Sequence, residues 1–77
     1  MDDNYGILKI HVKELMEKAG LNKYNLSHKA RMNWKQIDSY CNNSITRLDT
    51  FVLCKLCNAL DCEIQDLLEY IPPAKKE

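Results

Sequence analysis

Lys35, Gln36 and Ser39 are the polar residues of this 77-residue chain whose types and spacing point to a common task. They lie in the stretch Trp34-Lys35-Gln36-Ile37-Asp38-Ser39-Tyr40-Cys41, where Ile37, Tyr40 and Cys41 fall at i, i+3 and i+4. That spacing gives a helix an inward apolar face and turns Lys35, Gln36 and Ser39 away from it. A glutamine amide can pair bidentately with adenine, and a lysine can reach guanine or a phosphate. Small and long polar groups of this kind suit base edges and phosphates together. Asn33 stands just before the stretch, and its side-chain oxygen can accept from a first-turn N–H. Gln36 follows three residues later, so Asn33-x-x-Gln36 reads as a capping box.

A second short helix is expected to position the first. Residues 23–30 hold Leu26 and Ala30 four apart on one side, with Asn22 placed to cap them. Ser27 is small enough to let two helices approach closely. Arg31-Met32-Asn33 is then a tight corner between the two segments. Helix, corner and helix have the shape of a helix-turn-helix, whose second helix enters the DNA major groove.

Net charge is zero, which argues against a polyanion partner until the charge is located. Residues 1–17 hold Lys9 and Lys13 against Asp2, Asp3, Glu14 and Glu17. Residues 18–47 hold Lys18, Lys23, Lys29, Arg31, Lys35 and Arg47 against Asp38 alone. Residues 48–77 hold Lys55, Lys75 and Lys76 against six carboxylates. The excess of positive charge therefore sits on the helix–corner–helix unit. Asp38 is the exception, and would repel phosphate unless it accepts from a cytosine amino group or pairs with a lysine.

The rest of the chain supplies a scaffold. A length of 77 residues suits one domain with a small core. No run of eighteen apolar residues occurs, so no transmembrane helix is expected. The start Met1-Asp2-Asp3-Asn4 is acidic and lacks the order of a signal peptide, so a cytoplasmic location is expected. Residues 1–6 read as a loose arm and residues 7–19 as a helix, with Leu8, Val12, Leu15, Met16 and Ala19 as its stripe and His11 exposed. Gly20 suits its C-terminal cap. Asn42-Asn43-Ser44 ends the central unit, and in the following connector Leu48 is expected to tuck under the core. Asp49 or Thr50 caps a fourth helix with Leu53, Leu56, Cys57 and Leu60 inward. A fifth covers residues 63–70, with Ile64, Leu67, Leu68 and Ile71 inward, and Pro72-Pro73 stops it. No segment shows a convincing period of two. The expected fold is all-α, a compact five-helix bundle.

Cys54-Lys55-Leu56-Cys57 is a C-x-x-C, with Cys41 and Cys62 elsewhere, and invites a zinc or redox reading. The pair lies inside a predicted helix, without the turn of a zinc knuckle, and Cys57 falls on the buried stripe. Cysteine is a good small hydrophobe, so structural thiols are the favoured reading. No Ser/His/Asp grouping or Gly-rich phosphate loop occurs, and the two His residues stand apart. Neither catalysis nor a cofactor is expected.

The order of these signals resembles the Cro/lambda-repressor-like (Xre) helix-turn-helix family over residues 7–71. Leu21-Asn22-Lys23-Tyr24-Asn25-Leu26-Ser27 is similar to the family's "L-T-Q-x-x-L-A". Met32-Asn33-Trp34-Lys35-Gln36-Ile37 is similar to its "V-S-x-x-T-I", which begins the recognition helix. Residues 53–62 are similar to "L-x-x-I-x-x-A-L-x-V", and Asp66-Leu67-Leu68 to a closing "D-L-L". The resemblance implies a lambda-repressor-like DNA-binding domain, a sequence-specific regulator of repressor type that pairs as a homodimer on double-stranded DNA. It implies a phosphate contact for Lys23 and base or backbone contacts for Trp34, Lys35, Gln36 and Ser39. It places Asn42 and Asn43 near phosphates and makes Arg47 a backbone candidate. Trp34 could equally fold over the bundle, and Tyr40 is expected in the core. The family usually has Gly where Arg31 stands, and a left-handed backbone there is costly for Arg. The alternative reading is a protein-interaction module of the same fold, an antitoxin-like partner binder.

Overall fold

A computed structural model describes residues 4–74. The chain order is β1 (Ile7–Ile10), α1 (Val12–Lys18), α2 (Lys23–Ala30), α3 (Trp34–Cys41), α4 (Thr50–Leu60), α5 (Ile64–Leu67) and β2 (Leu68–Ile71). The helices pack round one core in which Val12, Leu26, Ile37, Leu56 and Leu67 are fully buried. Ile10, Met16, Ala30, Met32, Tyr40, Cys41, Val52, Ala59 and Leu60 complete it. Among the described residues the core holds no buried polar side chain, so its cohesion is hydrophobic.

The starts of α2, α3 and α4 carry caps that their sequence provides. Asn22 accepts from Asn25 N at 2.7 Å, Asn33 from Lys35 N at 2.7 Å and Asp49 from Phe51 N at 2.9 Å. Each bond satisfies one of the four N–H groups that a helix start leaves without an intrahelical acceptor. Asp49, not Thr50, is the cap of α4.

The ends of α1 to α4 share one device. A residue with positive φ follows each helix: Gly20 at 76°, Arg31 at 54°, Asn43 at 58° and Asp61 at 52°. Behind each, the next residue's N–H reaches back five positions, as Leu21 to Met16, Met32 to Ser27, Ser44 to Ser39 and Cys62 to Cys57. This is the Schellman arrangement, which satisfies carbonyls at a helix end. Gly20 and Asn43 adopt the left-handed backbone at little cost, whereas Arg31 and Asp61 carry a Cβ that resists it. The corner after α2 thus keeps the geometry that usually calls for Gly, and Lys55 Nζ donates to the Arg31 carbonyl at 3.0 Å. Arg31→Gly is expected to raise stability by about 1 kcal/mol, after allowing for the looser unfolded chain. A thermal melt should show Tm higher by roughly 4–8 °C.

The all-α expectation is corrected at both ends. Residues 7–10 are a strand rather than the first turns of a helix, and residues 68–71 form a second strand rather than the end of α5. They pair antiparallel, Ile7 with Ile71 and Ile10 with Leu68. His11 N extends the ladder to Leu67 O at 2.8 Å. A short apolar run fits a strand or a buried helix equally well, and only the partner at the other end of the chain decides. Leu8 and Ile64, expected inward, are exposed at 47 % each. Leu48 lies at the surface beside Ile7, Leu8 and Ile45 rather than under the core.

His11, expected on a helix surface, instead stands at the start of α1. It is half-buried and bonded through Nε2 to Glu69 of β2 at 2.7 Å. Residues 4–6 of the expected loose arm are held. Tyr70 donates its hydroxyl to the Tyr5 carbonyl at 2.7 Å, and a Cβ on Gly6 would stand 2.5 Å from Ile71 O. Residues 1–3 of that arm, and residues 75–77 of the polar tail, lie outside the described residues.

Candidate nucleic-acid interface

α3 is held from inside by Ile37, Tyr40 and Cys41, all buried, with Ile37 fully so. Tyr40 is therefore a core residue, as its spacing predicted, and its burial pushes the phenol pKa up. On the outer face Lys35 and Gln36 are exposed, and Ser39 is half-buried one turn on. Asn33 is exposed at the helix start, where its own N–H meets Gln36 Oε1 at 3.4 Å. The capping box satisfies two N–H groups that the start of α3 would otherwise leave unpaired.

Trp34 does not fold into the core. It is 50 % exposed, with Lys23 Nζ 5.4 Å from its ring centroid. Beside it, the start of α2, both ends of α3 and the flank of α1 enclose an open groove lined by Lys13, Glu17, Lys23, Tyr24, Trp34 and Asn42, among others. Basic, amide and aromatic groups thus meet at one edge of the recognition unit. Lys23 above the Trp34 face is a cation–π pair at the surface.

The structure resolves the difficulty raised by Asp38. Its carboxylate takes the Lys23 ammonium in an ion pair at 2.5 Å and also accepts from Asn42 Nδ2 at 3.3 Å. The hydrogen bond from Lys23 to Asp38, ahead of the Coulombic attraction, raises the Lys23 pKa from its ordinary value. Lys23 and Asn42, both expected at phosphates, are thus tied to the one carboxylate on α3. Asp38 links the start of α2 to the middle of α3 and offsets one positive charge of the unit. Sequence position alone could not select which lysine would pair with it.

Asn43 has another task. Its Oδ1 accepts from Ile10 N at 2.6 Å and its Nδ2 donates to Ile10 O at 3.1 Å. A side-chain amide thus occupies the outer edge of β1 as a neighbouring strand would, and ties the end of α3 to the sheet. Arg47 is exposed in the connector. Among the described residues neither Lys35 nor Arg47 has an ion-pair partner within 4.0 Å. Tyr24, which the sequence reading left unassigned, is 63 % exposed on α2 and meets the His28 ring edge-on at 4.5 Å. Its aromatic type and its place beside Lys23 were the available signals.

Asp38→Asn is expected to release Lys23 and remove an anion from the outer edge. Duplex binding should then tighten at low salt, with the slope of log K against log salt near the wild-type value, since Lys23 meets a phosphate in both proteins. Fluorescence anisotropy across a salt series reads both quantities. If Asp38 instead accepts from a cytosine amino group, the same change weakens binding to the preferred sequence alone.

Among the described residues no group of three or more His, Cys, Asp or Glu side chains gathers as a metal site, and no helix is long and apolar enough to cross a membrane. The family model of the Cro/C1-type HTH DNA-binding domain matches residues 11–73. No curated protein matches the chain. The chain belongs to the Cro/C1-type helix-turn-helix family, and the resemblance read from its motifs holds.

Proposed function

We propose that this Cro/C1-type domain reads duplex DNA sequence-specifically with α3 in the major groove and acts as a repressor-like transcriptional regulator. The observation that carries the reading is the contrast between the two faces of α3. Ile37, Tyr40 and Cys41 are locked into the core while Lys35 and Gln36 are exposed. Gln36 is the candidate for adenine, Lys35 for guanine or phosphate, and Ser39 for the next base along.

Lys35, Arg47 and Lys23 supply the phosphate contacts, with Lys23 exchanging Asp38 for phosphate as DNA arrives. Asn33 and Asn42 border the same face, and Trp34 lies against the sugar–phosphate backbone. Asn43 is left out of the contact set because both of its amide atoms hold Ile10. Readers of this shape bind two half-sites about one helical turn apart, so the working species on DNA is a homodimer.

The test is the salt dependence of duplex binding. Three phosphate contacts per protomer predict that log K falls with log salt at a slope of about −3 per half-site. A duplex affinity absent even at low salt would favour the partner-binding reading of the fold.

A further inference from the structure

The central unit leaves a second group of reactive side chains unused at the end of α4. Cys54, Cys57 and Cys62 are free thiols. The pair suggested by the sequence is Cys54 with Cys57, but both lie within α4, three residues apart. Cβ atoms at that spacing on a helix stand about 5–6 Å apart, and a disulfide needs about 3.5–4.5 Å. The C-x-x-C is therefore the wrong pair.

The right pair is made by the left-handed turn at Asp61. That turn folds the chain back so that Cys62 N donates to Cys57 O at 3.1 Å. The covalent distances flanking such a bond are about 1.5 Å from N to Cα and about 2.4 Å from Cα to O. They cap the Cα–Cα separation at about 7 Å, near the upper end of the disulfide range. In this helix-ending motif the side chains of these two positions meet. Consistent with that, Cys57 is among the groups that act electrostatically on the Cys62 thiol. Both residues are half-buried, and Cys57 borders an apolar cleft of ≈ 360 Å³ with Thr50, Leu53, Cys54 and Ile64. The cleft gives a small molecule a way to its sulfur.

We propose that Cys57 and Cys62 are a redox modification site, closing to an intramolecular disulfide by exchange with a low-molecular-weight dialkyl disulfide. The Cys57 thiolate attacks one sulfur of the reagent and expels one thiolate, leaving a mixed disulfide on Cys57. The Cys62 thiolate then attacks Cys57 Sγ and expels the second thiolate. Two protein thiols are oxidised to one disulfide, and the reagent is reduced to two thiols. The order follows from the environment of Cys62. Burial first, then Cys57, Asp66 and Asp61, raise its pKa to about 11, which makes Cys62 a poor opening nucleophile; the part contributed by Cys57 is relieved once Cys57 is held in the mixed disulfide. Cys41, buried against α1 and α2 and also raised by burial, takes no part.

The bond would tie the end of α4 to Cys62, which directly precedes Glu63 at the start of α5. Since α5 runs straight into β2, the link secures the junction that carries the sheet.

The experiment treats the folded protein with 2-hydroxyethyl disulfide, quenches with an alkylating agent and maps the peptides by mass. A Cys57–Cys62 link formed ahead of any stable adduct supports the proposal. So does accumulation of the mixed disulfide on Cys57 in Cys62→Ser, with Cys54→Ser behaving as wild type. A Cys54–Cys57 link overturns it, as do adducts on Cys54 alone with Cys57 and Cys62 still alkylated. The mapping needs no DNA, so its outcome is independent of the DNA-binding reading.

Discussion

Replacing Lys35 and Gln36 together by alanine is expected to abolish discrimination between duplex sequences while the domain stays folded. A good bidentate base contact contributes about 1–3 kcal/mol of discrimination. Losing both contacts should weaken binding to the preferred duplex by roughly 30-fold at the least, at about 2 kcal/mol in total. The fold has little stake in either side chain. Both are exposed, and alanine is the best helix former. The one internal bond lost is the long 3.4 Å contact from Asn33 N to Gln36. Removing it should cost a few tenths of a kcal/mol. Anisotropy on specific and scrambled duplexes, beside a thermal melt, separates the two effects. Affinity lost together with the melt would mean that α3 had unfolded. Affinity retained would remove both residues from the reading face.

Leu56→Ala carries the largest expected loss of stability. Leu56 is fully buried at the centre of α4, in the same core as Leu26, Ile37 and Leu67. Truncating a buried leucine forfeits its transfer free energy and leaves a cavity, together about 3 kcal/mol. A domain of this size has only roughly 4–12 kcal/mol to lose. The melting temperature should fall by roughly 12–24 °C. Circular dichroism on the variant measures the change directly. Urea titration should show a lower midpoint at unchanged slope if the variant loses packing without changing topology.

The two variants mark where the sequence was informative. Leu56 and Leu60 of the α4 stripe, the caps at Asn22 and Asn33, and the inward face of α3 are all local, whereas Val52 and Ala59, buried on α4, lay outside the expected stripe. Each of the local features depends on residues three or four apart, so spacing alone exposes them. The resemblance marked Arg31 as standing where Gly is usual and left open another geometry or strain; the backbone is left-handed there. The sheet was not visible. Residues 7–10 and 68–71 are short apolar runs, and nothing within either run tells strand from helix. Their pairing joins the two ends of the chain, and the ladder from Ile7 to His11 forms only because Leu67 and β2 are there to receive it.

The same distinction runs through the interface. Lys35 and Gln36 were legible because helix periodicity alone turns them outward. Lys23 and Asn43 were placed near phosphates by the family resemblance. One in fact pairs with Asp38 on the next helix, and the other holds the backbone of Ile10. Both partnerships are tertiary. A polar side chain near a helix end serves whichever acceptor the fold brings within reach, and that acceptor is not written beside it.

The most direct measurement is a selection of random duplexes by the purified domain at near-physiological salt, with the Lys35→Ala, Gln36→Ala variant in parallel. The account predicts an enriched, two-fold symmetric motif with half-sites about one helical turn apart, absent from the variant's pool. Equal enrichment by the variant, or no enrichment above salt-labile background, would contradict it and turn attention to a protein ligand.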